Sequence, residues 1–338
     1  MKVLVTGAHG LVGKHLQELL LDKQQWALAW KDVPYQSDIY YKIQHLQTAS
    51  WFFPSRNEVD WTNETQVQSY IQKNKPTHVV HLAARVGGIF RNMNERTQML
   101  EDNLLMSVYL LKACHRNQIQ KFIGILSTCI FPDAGPFPLK VENLHHGPPH
   151  SSNEPYAMAK RMLEVQCRAY RDQYNCDYQC LVPTNLFGLY DNYHLEDSHV
   201  MPALLHKGYL AKQNNTKWCI RGSGRAKRQF VHARDFARVI LLGICEDKDS
   251  SLWSHGAVCV SPQEQYTIHE IVEIMRKKLD IPLEQVHWQK EYADGQIEKQ
   301  ADGSWIQEVY PWFQYRPLQD DLEEWIEQFS IAWPNVRK

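Results

Sequence analysis

This chain predicts an α/β fold, a doubly wound parallel sheet with a smaller α/β domain appended. Two observations carry it. A β-branched run from Lys2 to Thr6 leads into a glycine turn and a helix, and short apolar runs then alternate with long amphipathic segments. At 338 residues the chain is also long enough for a large domain and a second, smaller one.

Taken in order, Gly7-Ala8-His9-Gly10-Leu11-Val12-Gly13 follows the first strand and opens a helix carrying Leu16, Leu19 and Leu20. The stretch from Lys23 to Ser50, rich in Gln, Tyr and Trp, reads as neither a helix nor one strand, so an insertion is expected there. The second sheet strand is placed at Trp51 to Phe53, with Trp26 to Trp30 as the rival. Further strands fall at His78 to Ala84, Phe122 to Ser127 and Tyr178 to Val182, between helical patterns such as Gln98 to Cys114 and Ala157 to Tyr174. After Pro183 come loops, shorter helices and a basic stretch from Arg221 to Arg228, read as the start of a substrate-binding region. Phe236 to Cys245 and Val258 to Ser261 look buried enough to return to the sheet. The expected organisation is a nucleotide-binding domain over 1–185, joined again by 230–262, and a substrate domain over 186–338 interleaved with it.

Composition excludes several classes. Lys and Arg number 37 against 38 Asp and Glu, a net charge of -1, which suits neither a general nucleic-acid binder nor a membrane-surface protein. The eight cysteines show no C-x-x-C spacing, so no metal site is expected, and reduced thiols are. The chain begins directly in a strand, which leaves no room for a signal peptide, and its longest apolar stretch, near Val239 to Cys245, falls far short of a membrane span. A soluble cytoplasmic enzyme is the expectation.

The spacing G-x-x-G-x-x-G between a strand and a helix is the context in which a pyrophosphate is held. Glycines allow close backbone approach, and the helix start presents free N–H groups at its positive end. The second strand decides the cofactor. Asp32 lies about 20 positions after the glycines and would favour NAD, whereas Arg56, just past Trp51 to Phe53, would grip a 2′-phosphate with charge-assisted hydrogen bonds. Arg56 is favoured, and with it NADP(H).

Tyr156 and Lys160 stand four apart on one helical face, where an ammonium would lower the phenol pKa and also reach a cofactor ribose. Ser127 can orient the carbonyl oxygen that Tyr156 protonates. Cys129, two residues on, points to a second chemistry in the same pocket.

These stretches, with Leu82-Ala83-Ala84-Arg85-Val86-Gly87-Gly88-Ile89, Asn153 to Lys160, Pro183-Thr184-Asn185-Leu186-Phe187-Gly188, Asp191-Asn192-Tyr193 and Ser198-His199-Val200-Met201-Pro202, resemble the extended short-chain dehydrogenase/reductase superfamily, and within it the GDP-L-fucose synthases. The similarity covers nearly the whole chain. It implies NADPH-dependent 3,5-epimerisation and 4-reduction of GDP-4-keto-6-deoxy-D-mannose. Ser127, Tyr156 and Lys160 would be the reductase triad, and Cys129 with His199 the epimerase pair. The resemblance puts Gly7 to Gly13, Leu82, Ala83, Ala84, Leu126, Lys160, Pro183, Asn185, Leu186 and His199 on the cofactor side. Lys207, Arg221, Arg228, Asp294 and Lys299 would meet the GDP-sugar, and a homodimer through the Tyr156–Lys160 helix is implied. His9 departs from the arginine common in bacterial members and Arg221 from an expected tryptophan, which shifts weight onto Arg56 and alters packing at the nucleotide. Another nucleotide-sugar epimerase or 4,6-dehydratase and a non-catalytic NADP-sensing protein are the alternatives. Cysteine in place of a dehydratase-type Asp-Glu pair argues against the dehydratase, and the presence of Tyr156 and Lys160 against the sensor.

Overall fold

The computed structural model describes residues 1–292 and 296–338. Five short strands, β1 (Lys2–Thr6), β2 (Ser50–Phe52), β3 (His78–His81), β4 (Lys121–Ile125) and β5 (Asp177–Pro183), join the later strand Ala257–Val260 in one sheet. Every pairing in it is parallel, and β1 sits between β2 and β3. The expected fold class is therefore borne out.

Alternation along the strands explains the layering. Val3 and Val5 point to one face and Leu4 to the other, as a strand period of two requires. One face is covered by α1 (Leu11–Leu21), α2 (Lys23–Ala29) and α3 (Asp38–Leu46), the other by α4 (Glu64–Asn74) and, beyond the short α5 (Ile89–Asn94), by α6 (Arg96–Arg116) and α7 (Glu154–Tyr174). Past α8 (Val200–Asn214), helix α9 (Ala233–Cys245) buries nearly its whole length on the first face, with Phe236, Val239, Ile240 and Leu242 in that core. Ile306, Tyr310 and Phe313 join it from much later in the chain. A third core, built around Phe187, Trp218, Met275, Trp325 and Phe329, gathers α8, α10 (Ile268–Leu279) and, after α11 (Ser304–Val309), α12 (Leu318–Ala332).

The segment from Lys23 to Ser50 corrects the sequence reading, because it is mostly helical. Asp22 accepts the amides of Gln24 and Gln25 at 2.8 and 3.1 Å, and Ser37 accepts that of Tyr40 at 3.2 Å, so each short helix starts on its own side-chain cap. Trp26, Trp30, Ile43 and Leu46 then bury one side of each against the core. Helices of 7 and 9 residues are too short to hold without such packing, which is why composition alone concealed them. The second strand is Ser50–Phe52, and Trp26 lies in a helix, so the rival placement fails.

One buried side chain ties the two regions together. Gln229, fully buried, donates to the carbonyls of Pro262 (2.7 Å) and Ala301 (3.1 Å) and accepts the Ala301 amide at 2.8 Å, while its own carbonyl receives the Asn185 side chain at 2.9 Å. Leu139 pairs with the same strand of chain, taking part in backbone bonds with Gln300 and Asp302. Residues 296–302 thus run as a strap across the end of the sheet. Gln229→Leu leaves a donor and two acceptors buried without partners, and should cost about 2–4 kcal/mol. Urea denaturation should show a lower midpoint at unchanged slope; an unmoved midpoint would mean the strap is held elsewhere.

Candidate active site

The sheet order reverses at β1, with β2 on one side and β3 on the other, and the carboxyl ends of β1 and β3 open a crevice there. Thr6 closes its floor. Its Oγ1 accepts the Ala83 amide at 3.0 Å and is hydrogen-bonded to Nδ1 of His81 at 2.8 Å. Burial drives the His81 pKa down to about 3, which keeps the ring neutral and able to accept.

Above this floor the glycine turn lies flat. Gly7 has φ +67, and a Cβ built on it would stand 2.6 Å from the Ala83 nitrogen; one on Gly13 would stand 2.4 Å from the Ala8 carbonyl oxygen. Neither position admits a side chain. Helix α1 begins at Leu11, directly after Gly10, with no side chain capping its first amides, and Val12 follows in the first turn. A bare positive helix end beside a surface cleared of side chains fits a pyrophosphate. Beyond β2, Glu58 accepts the Ser55 amide and hydroxyl at 2.8 and 2.9 Å, and its carboxyl is held low chiefly by those bonds, with His9 contributing across the gap. Exposed Arg56 sits in that loop, next to the end of β2. These residues fit a dinucleotide with a phosphate on its ribose. Asp32, by contrast, occupies a turn after α2, away from any strand end.

The reactive groups meet where β4 ends. Leu126 is buried and its amide bonds to Leu181, which sets the chain for Ser127. Ser127 caps a turn of 3₁₀ helix, Thr128–Ile130, its hydroxyl accepting the Cys129 amide at 3.4 Å. Cys129 is 7% exposed. Burial raises its thiol pKa, while Lys299, Ser127 and Lys160 pull it back. From α7, Tyr156 and Lys160 face the same space, the ammonium 6.0 Å from the phenol ring centre. Lys160 is buried and donates to the Ile125 carbonyl at 2.8 Å. Dryness decides the titration of both. Burial lifts the Tyr156 phenol well above its ordinary value, with Cys129 adding to the rise, and lowers Lys160 to about 8. The expected depression of the phenol is thus reversed, since removal of water penalises the phenolate and the nearby thiol adds to that penalty.

The basic residues expected to meet a substrate fall into two groups. Half-buried Arg228 and Lys299 lie within electrostatic reach of each other, Lys299 also within reach of Cys129, and burial lowers the pKa of both. Lys207 and Arg221 instead converge on Glu196, at 4.0 and 3.1 Å, and Arg221 also stacks over Tyr292 at 5.0 Å. Asp294 lies outside the described residues. His199, exposed, takes the N-cap position of α8, and the loop before it docks where the Gly88 amide donates to the Asp197 carbonyl at 3.0 Å. Pro183, Asn185 and Leu186 line the end of β5, with Ala84 and Leu82 beside β3.

Some participants escape a reading of the sequence. Thr6 and His81 are single polar residues at the ends of apolar strands, a signal that could have marked them. Gln229 is a lone amide between Arg228 and an apolar run. Asp191 is buried, its Oδ2 has no hydrogen-bond partner among the described residues, and burial raises its pKa while His199 opposes the rise.

Comparison with known proteins agrees with this architecture. Residues 3–251 match the model of the NAD dependent epimerase/dehydratase family. The GDP-L-fucose synthase of Dictyostelium discoideum is 33% identical over 99% of this chain and 97% of its own. The probable GDP-L-fucose synthase of Drosophila melanogaster is 32% identical over 100% and 99% respectively. A crystal structure of a GDP-L-fucose synthetase from Naegleria fowleri bound to NADP superimposes with a TM-score of 0.86 at 31% identity, covering 100% of this chain and 95% of that one. With the switch-point crevice, the glycine turn and the tyrosine-lysine pair all in place, the chain belongs to the NAD dependent epimerase/dehydratase family.

Proposed function

We propose that this protein is an NADPH-dependent epimerase-reductase that converts GDP-4-keto-6-deoxy-D-mannose to GDP-L-fucose. The observation that carries the reading is the meeting of a buried thiol, Cys129, with the Tyr156 and Lys160 pair in one pocket. A simple reductase has no use for a second acid-base group there. The names of the full-length relatives and the NADP in the Naegleria structure support the substrate and the cofactor.

A 4-keto group acidifies the hydrogens on C3 and C5. Cys129 removes each as thiolate, and His199 returns a proton to the other face. Ser127 orients the ketone oxygen, and Tyr156 donates its proton to that oxygen. A phenol kept protonated by burial is the form that reduction requires. NADPH supplies the hydride to C4. Lys160 anchors the ribose and steadies the phenolate left after proton transfer, while Arg228, Lys299, Lys207 and Arg221 receive the diphosphate and sugar.

We further infer a homodimer through α7, the helix of Tyr156 and Lys160, whose outer face leaves Met158 36% exposed, working in the cytoplasm, where eight unpaired thiols stay reduced. Among the described residues no helix is long and apolar enough to cross a membrane.

In deuterated water, Cys129→Ser should lose C3 and C5 exchange by about 100-fold or more, and lose hydride transfer much less; NMR of the products checks this, and equal losses would remove Cys129 as the base. Arg56→Ala should raise the KM for NADPH about tenfold more than that for NADH. An unchanged ratio in steady-state kinetics would take the 2′-phosphate away from Arg56. Because Lys160 is charged below about pH 8 and neutral above it, kcat/KM for the reduction should fall as pH rises through about 8. Lys160→Arg, which cannot deprotonate, should weaken activity but lack that alkaline limb in the pH-rate profile.

A further inference from the structure

We propose that Arg161 is a positioning residue for Cys129, pinning the turn that carries the thiol and supplying a guanidinium that balances the thiolate. This deepens the reading of Cys129 as the base and rests on it.

Arg161 follows Lys160 on α7, yet it serves a different neighbour. Its Nε donates to the carbonyl of Ile130 at 2.5 Å, and Ile130 is the residue directly after Cys129. The contact clamps the far end of the Thr128–Ile130 turn, whose near end is capped by Ser127. The side chain is 6% exposed, and its Nη2 is buried with no hydrogen-bond partner among the described residues. A buried guanidinium in that state is costly unless an anion answers it.

The acidic residue best placed on the same helix is already engaged. Glu164, three positions on, takes His145 at 2.8 Å and Arg168 at 3.1 Å. The charge that Arg161 does feel is Cys129, which favours its protonated form against the penalty of burial. The groups facing the thiol are therefore Ser127 on its own turn, Tyr156, Lys160 and Arg161 on α7, and Lys299 on the 296–302 strap. Lys160 already donates to Ile125, and Lys299 shares Arg228 and Asp133 as neighbours. Arg161 is the cation whose backbone contact moves with the thiol. When Cys129 loses its proton, the unpaired guanidinium nitrogen gains a counter-charge without any rearrangement of α7.

The test compares Arg161→Met, Arg161→Lys and the parent enzyme, each with and without Cys129→Ser, by ultraviolet thiolate absorbance against pH. The paired difference isolates Cys129 from the other seven thiols. In Arg161→Met the thiolate should appear about one pH unit higher, and C3/C5 deuterium exchange at neutral pH should fall about tenfold with the KM for the keto-sugar within about twofold. Arg161→Lys, which retains the charge, should restore most of the titration midpoint. A midpoint unmoved in Arg161→Met overturns the proposal even if Cys129→Ser abolishes exchange. A raised midpoint with undiminished exchange supports Arg161 acting on the thiol and instead removes Cys129 as the base. Should Arg161→Met fail to fold, Arg161→Gln, which keeps a donor for Ile130 without the charge, replaces it, with the same shift expected and an unmoved midpoint equally fatal.

Discussion

The backbone contact between the glycine turn after β1 and the loop after β3 is the constraint on which the rest of the pocket depends. Gly7 lies against Ala83 with no room for a side chain between them, and Thr6 links both loops to His81 beneath. That closeness leaves the start of α1 bare and aims it along the crevice. It also fixes where β3 hands the chain to the Arg85 segment, whose backbone amide and carbonyl are both held by the Asn103 side chain. From there Gly88 reaches Asp197, so the placement of His199 is traceable to the same crossing.

The second theme is the cost of dryness. The pocket gathers Lys160, Arg161, Arg228 and Lys299 with few carboxylates near, and in each case burial works against the charge. Such an arrangement is unfavourable when empty of anions. It is suited to a ligand that brings phosphates and to a thiol that becomes a thiolate, because both arrive as the missing negative charge. The same dryness keeps Tyr156 protonated.

Much of this was legible in the sequence, and the residues show why. The strands declared themselves because each is a short apolar run between turn signals, and the glycine turn, Ser127, Tyr156 and Lys160 are local motifs with local geometry. The helices at Lys23–Ala29 and Asp38–Leu46 did not, because their stability comes from tryptophans and isoleucine meeting α9 far along the chain. The pKa of Tyr156 could not be read from Tyr-x-x-x-Lys either, since spacing reveals the neighbouring charge but not the absence of water. Gln229 and Arg161 were hidden for a related reason. Each acts through carbonyls that no sequence pattern assigns, Pro262 and Ala301 for one and Ile130 for the other.

The protonated state of Tyr156 has one more consequence. In the proposed reaction every turnover withdraws a proton from a partly buried phenol, and the resulting phenolate, though steadied by Lys160, is disfavoured there. The site must be recharged from outside before the next ketone can be reduced. Ser127, which caps the Thr128–Ile130 turn, and exposed His199 at the start of α8 are both groups able to pass a proton, so in that reaction the traffic of protons inward belongs to the cycle as much as the departure of sugar outward.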